Sequence, residues 1–201
     1  MAKLLNVETD AIYIYPLGGI SKFNMPLNIN IYKEFLILIM GPVFQNIAFM
    51  ILIIIFNDYD LILKLHLGIL IFNLLPIYPL DGGKVLNIIF TCFFQYKLSY
   101  KIGIFISYLV TIVILFSNKY LSINMLLTYV FLIVIIRRED CKINIKYNKF
   151  LVERYLNNYK FKKSKVVNND NNFYRLKSNI VKDGGRYYSE KEYLDKKYHI
   201  F

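Results

Sequence analysis

Histidine is nearly absent from this chain: His66 and His199 are the two among 201 residues. No His-Glu-x-x-His occurs, so no two imidazoles one helical turn apart can hold a zinc ion around a water-activating glutamate. Cysteine is equally scarce. Cys92 stands in an apolar stretch and Cys141 beside a run of charge, which excludes a disulfide framework. Acidic residues are outnumbered, 14 against 25 Lys and Arg, for a formal charge of +11, and 17 of the 25 basic residues lie after Ile136. That basic stretch contains no recognisable nucleic-acid module, so the charge predicts anionic lipid as its partner and no nucleic acid. The front of the chain reads without a signal peptide. No internal repeat is visible, which argues against a transporter built from inverted halves.

Apolar residues make up 56% of the sequence, arranged in runs long enough to span a bilayer. The fold class this predicts is an all-α polytopic membrane protein of about four spans. The first run covers 35–56, broken by Gly41-Pro42 and then by the amides Gln45 and Asn46, candidates for a polar contact between helices. The second covers 61–96 with an interruption inside it. Two more cover 100–116 and 120–136. Lys64 is placed to snorkel. His66 could be a metal ligand, although a lone histidine in a membrane more commonly bonds a neighbouring helix. Arg137-Arg138 after the last run predicts a cytoplasmic C-terminal tail in a multi-pass cell-membrane protein, with the Asp58/Asp60 loop on the far side. Near the front, Pro16 and Gly18-Gly19 between short alternating runs predict a strand-like hairpin. In the tail, apolar spacing over 150–159 predicts a short amphipathic helix, 168–172 reads as a loop, and Asp183-Gly184-Gly185 reads as a turn.

The informative stretch is Asn73-Leu74-Leu75-Pro76-Ile77-Tyr78-Pro79-Leu80-Asp81-Gly82-Gly83. Two prolines remove backbone donors and two glycines free the backbone, so a helix must break here. Broken backbone at membrane depth persists only where protein or a watery cavity satisfies it. A carboxylate in that place costs several kcal/mol on insertion scales and reads as functional, with a partner to be found.

The pattern Asn-x-x-Pro-x-x-Pro-Leu-Asp-Gly-Gly resembles the second signature of the site-2 protease family of intramembrane zinc metalloproteases. The resemblance implies a zinc-dependent hydrolase in which Asp81 is a metal ligand, with Asn73, Pro76, Pro79 and Gly82 lining the site. It also implies that the Pro16–Gly19 segment, with Gly18 and Gly19, forms strands beside the active site. There an extended edge could add an unwound substrate as a further strand. The family's His-Glu-x-x-His is missing, while Ala2-Lys3-Leu4-Leu5-Asn6-Val7 is similar to the segment just downstream of that motif in the family. The expectation is therefore an N-terminally truncated core over 1–136, with six spans in the complete protein, and a basic cytoplasmic tail over 137–201. Within the sporulation branch, the resemblance implies a membrane-associated precursor as substrate, a sporulation pro-sigma factor, and an inhibitory membrane partner. The tail is too short to carry over that branch's nucleotide-sensing pair of domains. The chain as it stands is expected to be inactive. A reading of a different class is a non-catalytic membrane scaffold that binds client proteins.

Overall fold

The structure, a computed structural model, describes residues 9–15, 18–23, 26–56, 59–117, 122–157 and 159–198. Strands β1 (Thr9–Tyr15) and β2 (Gly18–Phe23) pair antiparallel, with Tyr15 opposite Gly18 and Ile14 opposite Gly19. The Pro16-Leu17 connection and the segment Ala2–Val7 lie outside the described residues.

Asn30 starts the first helix, α1 (Ile31–Phe56). Its side chain accepts from the Tyr32 N–H at 3.1 Å and its carbonyl accepts from Lys33 and Glu34, which satisfies donors that a helix start leaves orphaned. Helix α2 (Tyr59–Leu74) returns alongside. The prolines and glycines then do what their chemistry requires: the helix stops at Leu74 and α3 (Asp81–Phe93) begins only at Asp81. Helices α4 (Tyr96–Ser117) and α5 (Ile123–Cys141) come next. By length and composition α1 and α4 can each cross a bilayer. No residue of α1 is buried, and its Met50, Ile54, Ile55 and Phe56 are largely exposed, a surface that suits lipid and not water. These two helices are candidate membrane spans.

Helix α4 turns a face of small residues to α3. Ser99, Gly103, Ser107 and Thr111, every fourth residue, are buried, and each hydroxyl donates back to its own helix backbone at 2.7–2.8 Å. With its polar atoms satisfied internally, that face admits close approach of a neighbouring helix. Asn87 and Thr91 of α3 are buried in the same layer.

An all-α fold does not describe the C-terminal region. After α6 (Ile143–Leu156), β3 (Ser164–Val167), β4 (Ser178–Asp183) and β5 (Arg186–Tyr188) form a three-stranded sheet, with α7 (Glu190–Tyr198) after it. Strands β3 and β4 run parallel and β4 and β5 antiparallel. The physical reason is burial: Val167 and Val181 from the strands close with Tyr147, Phe150, Leu151, Phe173 and Leu194 over Tyr96 of α4 into one apolar cluster. The turn between β4 and β5 places Gly184 and Gly185 at φ of 54° and 81°, a two-residue hairpin turn that glycine adopts without strain.

Arg154 knits this unit. Its side chain is 1% exposed and donates to both Glu190 oxygens at 3.0 Å, to the carbonyls of Lys177, Tyr174 and Arg175, and to Asn28 Oδ1. Burial pulls the guanidinium below its ordinary pKa while Glu190 opposes the shift, and the group stays charged. Arg154→Ala would leave Glu190 and three carbonyls without this donor. We expect a loss of about 3–5 kcal/mol, read as a lowered denaturant midpoint for the 143–198 unit, against a much smaller effect of Lys196→Ala in the exposed pair with Asp183.

Candidate functional site

The site begins with two glycines that cannot be anything else. A Cβ on Gly82 would lie 2.2 Å from the Leu74 carbonyl oxygen, and one on Gly83 would lie 2.5 Å from the Ile77 carbonyl. Both obstacles are backbone, which cannot swing aside. The first turn of α3 is thus seated directly on the 74–78 connection. That connection holds its own shape through Ile77 N–H to Leu75 O at 2.7 Å and Leu80 N–H to Ile77 O at 2.8 Å, and the Tyr78–Pro79 peptide is cis. A third anchor comes from α4, where Ser107 Oγ accepts from the Tyr78 N–H at 2.7 Å.

On this seat Asp81 is the first residue of α3, where the helix dipole favours a negative charge. Its Oδ1 lies 3.3 Å from Lys84 Nζ, one turn along. The side chains are 29% and 39% exposed, so the pair contributes little to stability and leaves the carboxylate reachable. The other oxygen points at α1: a Cβ on Gly41 would lie 3.1 Å from Asp81 Oδ2. Glycine at 41, beside Pro42, makes room for the carboxylate between α1 and α3.

Of the residues singled out in the sequence, Asn73, Pro76, Pro79, Asp81 and Gly82 fall on this one α2–α3 connection, each half-buried. Gly18 and Gly19 lie on β2, paired with Tyr15 and Ile14 of β1, and the main neighbours of α3 are α1, α2 and α4. Gln45 proves to be a helix-to-helix contact, donating to the His66 carbonyl at 3.0 Å, and Asn46 donates to the Pro42 carbonyl of its own helix. The His66 ring is buried and stacked on Phe49 at 4.2 Å, the packing role. Two participants went unmarked in the sequence. Lys84 could have been found from its i+3 spacing to Asp81. Ser107 could not, because only the fold brings it to the motif, and Gly41, marked with Pro42 as the break in the first run, turns out to be where Asp81 approaches.

A second layer ties the motif to the tail. The Lys146 ammonium lies 3.4 Å from the Tyr78 hydroxyl and over the Tyr78 and Tyr100 rings at 4.9 and 5.2 Å, and pairs with Glu139 at 2.8 Å. Partial burial disfavours the charged Glu139 carboxylate, but Lys146 and Lys142 outweigh it and hold that carboxyl below its ordinary value.

The donor set does not fit a zinc ion unaided. Among the described residues no three of His, Cys, Asp and Glu converge, and the one carboxylate at the break faces a lysine and a glycine. A protein zinc site ordinarily needs three side-chain ligands. The glycine geometry itself is testable. Gly82→Ala, forced against backbone, should destabilise by about 3 kcal/mol or more, whereas Gly68→Ala in α2, with nothing within 4 Å of its Cβ, should be neutral or stabilising by about 1 kcal/mol. Unfolding curves of the two variants in the same detergent decide it.

No protein-family model matches the chain. It is 32% identical over 155 residues to stage IV sporulation protein FB of Bacillus subtilis, an alignment covering 72% of this chain and 54% of that protein. It is 31% identical over 150 residues to zinc metalloprotease MJ0392 of Methanocaldococcus jannaschii, covering 70% of this chain and 43% of that protein. The chain spans about half the length of the curated relatives it matches. Together the two relatives, alike over more than two thirds of this chain, support a site-2 protease-like family for it.

Proposed function

We propose that the protein is a site-2-type intramembrane zinc metalloprotease, and that these 201 residues hold the aspartate part of its metal site without the histidine part. The observation that carries the reading is the seat of Asp81: a carboxylate fixed at a helix break, against a glycine of a lipid-facing helix. Asp81 is then one of three zinc ligands, with Asn73, Pro76, Pro79 and Gly82 shaping the wall beside it. The β2 edge with Gly18 and Gly19 is the place where an extended substrate would pair. The substrate class is a membrane-associated precursor, a sporulation pro-sigma factor in the reading closest to the Bacillus subtilis relative, and an inhibitory membrane partner belongs to the same reading. The proposed topology has four crossings, by α1, by α2 with α3, by α4 and by α5, with Arg137-Arg138 and the basic tail on the cytoplasmic side against anionic lipid.

The Asp81–Lys84 pair and the two lone histidines favour a second reading, a membrane scaffold that binds clients without cleaving them. One pair of preparations separates the two. The 201-residue polypeptide should hold far less than one zinc per chain and cleave nothing. A fusion that places a family His-Glu-x-x-His membrane helix before Ala2 should bind one zinc per chain, and Asp81→Asn should abolish that binding. A fusion that folds yet binds no zinc, or binds it regardless of Asp81, would overturn the protease reading in favour of the scaffold.

A further inference from the structure

We infer that the C-terminal unit is a clamp on the approach to α1 that sets where Gly41 stands against Asp81, with Glu153, Arg175 and Glu34 acting as positioning residues for that carboxylate. The contacts concentrate on residues 27–34. The Glu153 carboxylate accepts from the Leu27 N–H at 2.6 Å, from the Asn28 N–H at 3.0 Å and from the Asn28 side-chain amide at 3.2 Å. The neighbouring Arg154 donates to Asn28 Oδ1 at 2.9 Å. From the far side, Arg175 donates to the Ile29 carbonyl at 2.9 Å and lies 2.6 Å from Glu34, a charge contact and not an aligned hydrogen bond. Charge-assisted bonds to backbone N–H groups are among the strong ones, and Arg175 is 5% exposed, so these contacts are little weakened by water.

The geometry of α1 carries this grip to the motif. Glu34 and Gly41 are seven residues apart, two helical turns, and so share one face about 10 Å apart along the axis. Glu34 meets the tail and Gly41 meets Asp81. Between the two there is no glycine or proline; Pro42 comes just beyond Gly41. The segment that transmits position is continuous helix from Ile31 through Gly41, and Pro42 removes only the one N–H that would bond the Leu38 carbonyl. Beyond Gly41, the Gln45 bond to the His66 carbonyl and the Phe49–His66 stack hold α1 to α2. The coupling is a property of the fold and stands whether or not Asp81 binds metal.

The test uses the full chain in lipid nanodiscs, labelled with 15N-glycine, which gives nine glycine amide signals. Gly41 is assigned by the signal lost in Gly41→Ala. Glu34→Gln should move the Gly41 signal, Glu34→Asp should move it less, and Gly68 in α2 should stay in place. Arg175→Gln should move Gly41 in the same direction, and the double variant should move it no further than either single one. If Arg175→Gln unfolds the tail, seen as loss of the Gly184 and Gly185 positions, Gly41 must still move. In parallel, Glu153→Gln should speed hydrogen exchange at the Leu27 and Asn28 amides by about tenfold or more. A Gly41 signal that keeps its wild-type position in Glu34→Gln, or after the tail unfolds, would overturn the inference.

Discussion

Leu74, Leu75 and Ile77 present their carbonyls to the space that Cβ atoms at positions 82 and 83 would occupy, and every feature of the site depends on that contact. Backbone lying on backbone leaves the first turn of α3 no freedom to slide or rotate. It fixes the azimuth of Asp81, which places one carboxylate oxygen toward Gly41 of α1 and the other toward Lys84. A side chain at either glycine would lift α3 off its seat, and the carboxylate would leave with it. The prolines play a different part. Removing donors at 76 and 79 ends α2 early and frees the chain to make the short bonds 72–75, 75–77 and 77–80, so that few of its polar groups depend on water.

Around that contact the structure is built in two layers of unlike chemistry. The inner layer is the small-residue face of α4, which holds Tyr78 through Ser107 and lets α3 come close. The outer layer is charged and aromatic, from Lys146 over Tyr78 and Tyr100 to Arg154 and Glu190. Charged groups gather at the tail end and hydroxyls bonded to their own helix at the other, and an unpaired charge is costly wherever water is excluded.

The sequence was legible where the physics is local. A helix break at Pro76–Gly83 results from missing donors and missing side chains, and the turn at Gly184-Gly185 from positive φ. It was illegible where the cause lies far along the chain. Nothing near Val166-Val167 or Ile180-Val181 announces a sheet, because parallel pairing depends on Phe150, Leu194 and Tyr96 closing over those valines. The tail read as a polar extension for the same reason: its lysines and asparagines are conspicuous and its few buried residues are scattered. Gly41 read as part of a helix kink, and only the approach of Asp81 shows what the glycine makes room for.

The seat of Asp81 against α1 is the contact on which the functional reading rests. Solid-state NMR in bilayers can measure the separation of 13Cγ of Asp81 from 13Cα of Gly41 directly. We predict a separation within about 6 Å, since Cγ is 4.0 Å from the Cβ position at residue 41 and one bond more from its Cα. Absence of measurable coupling in a folded, lipid-embedded sample would contradict it.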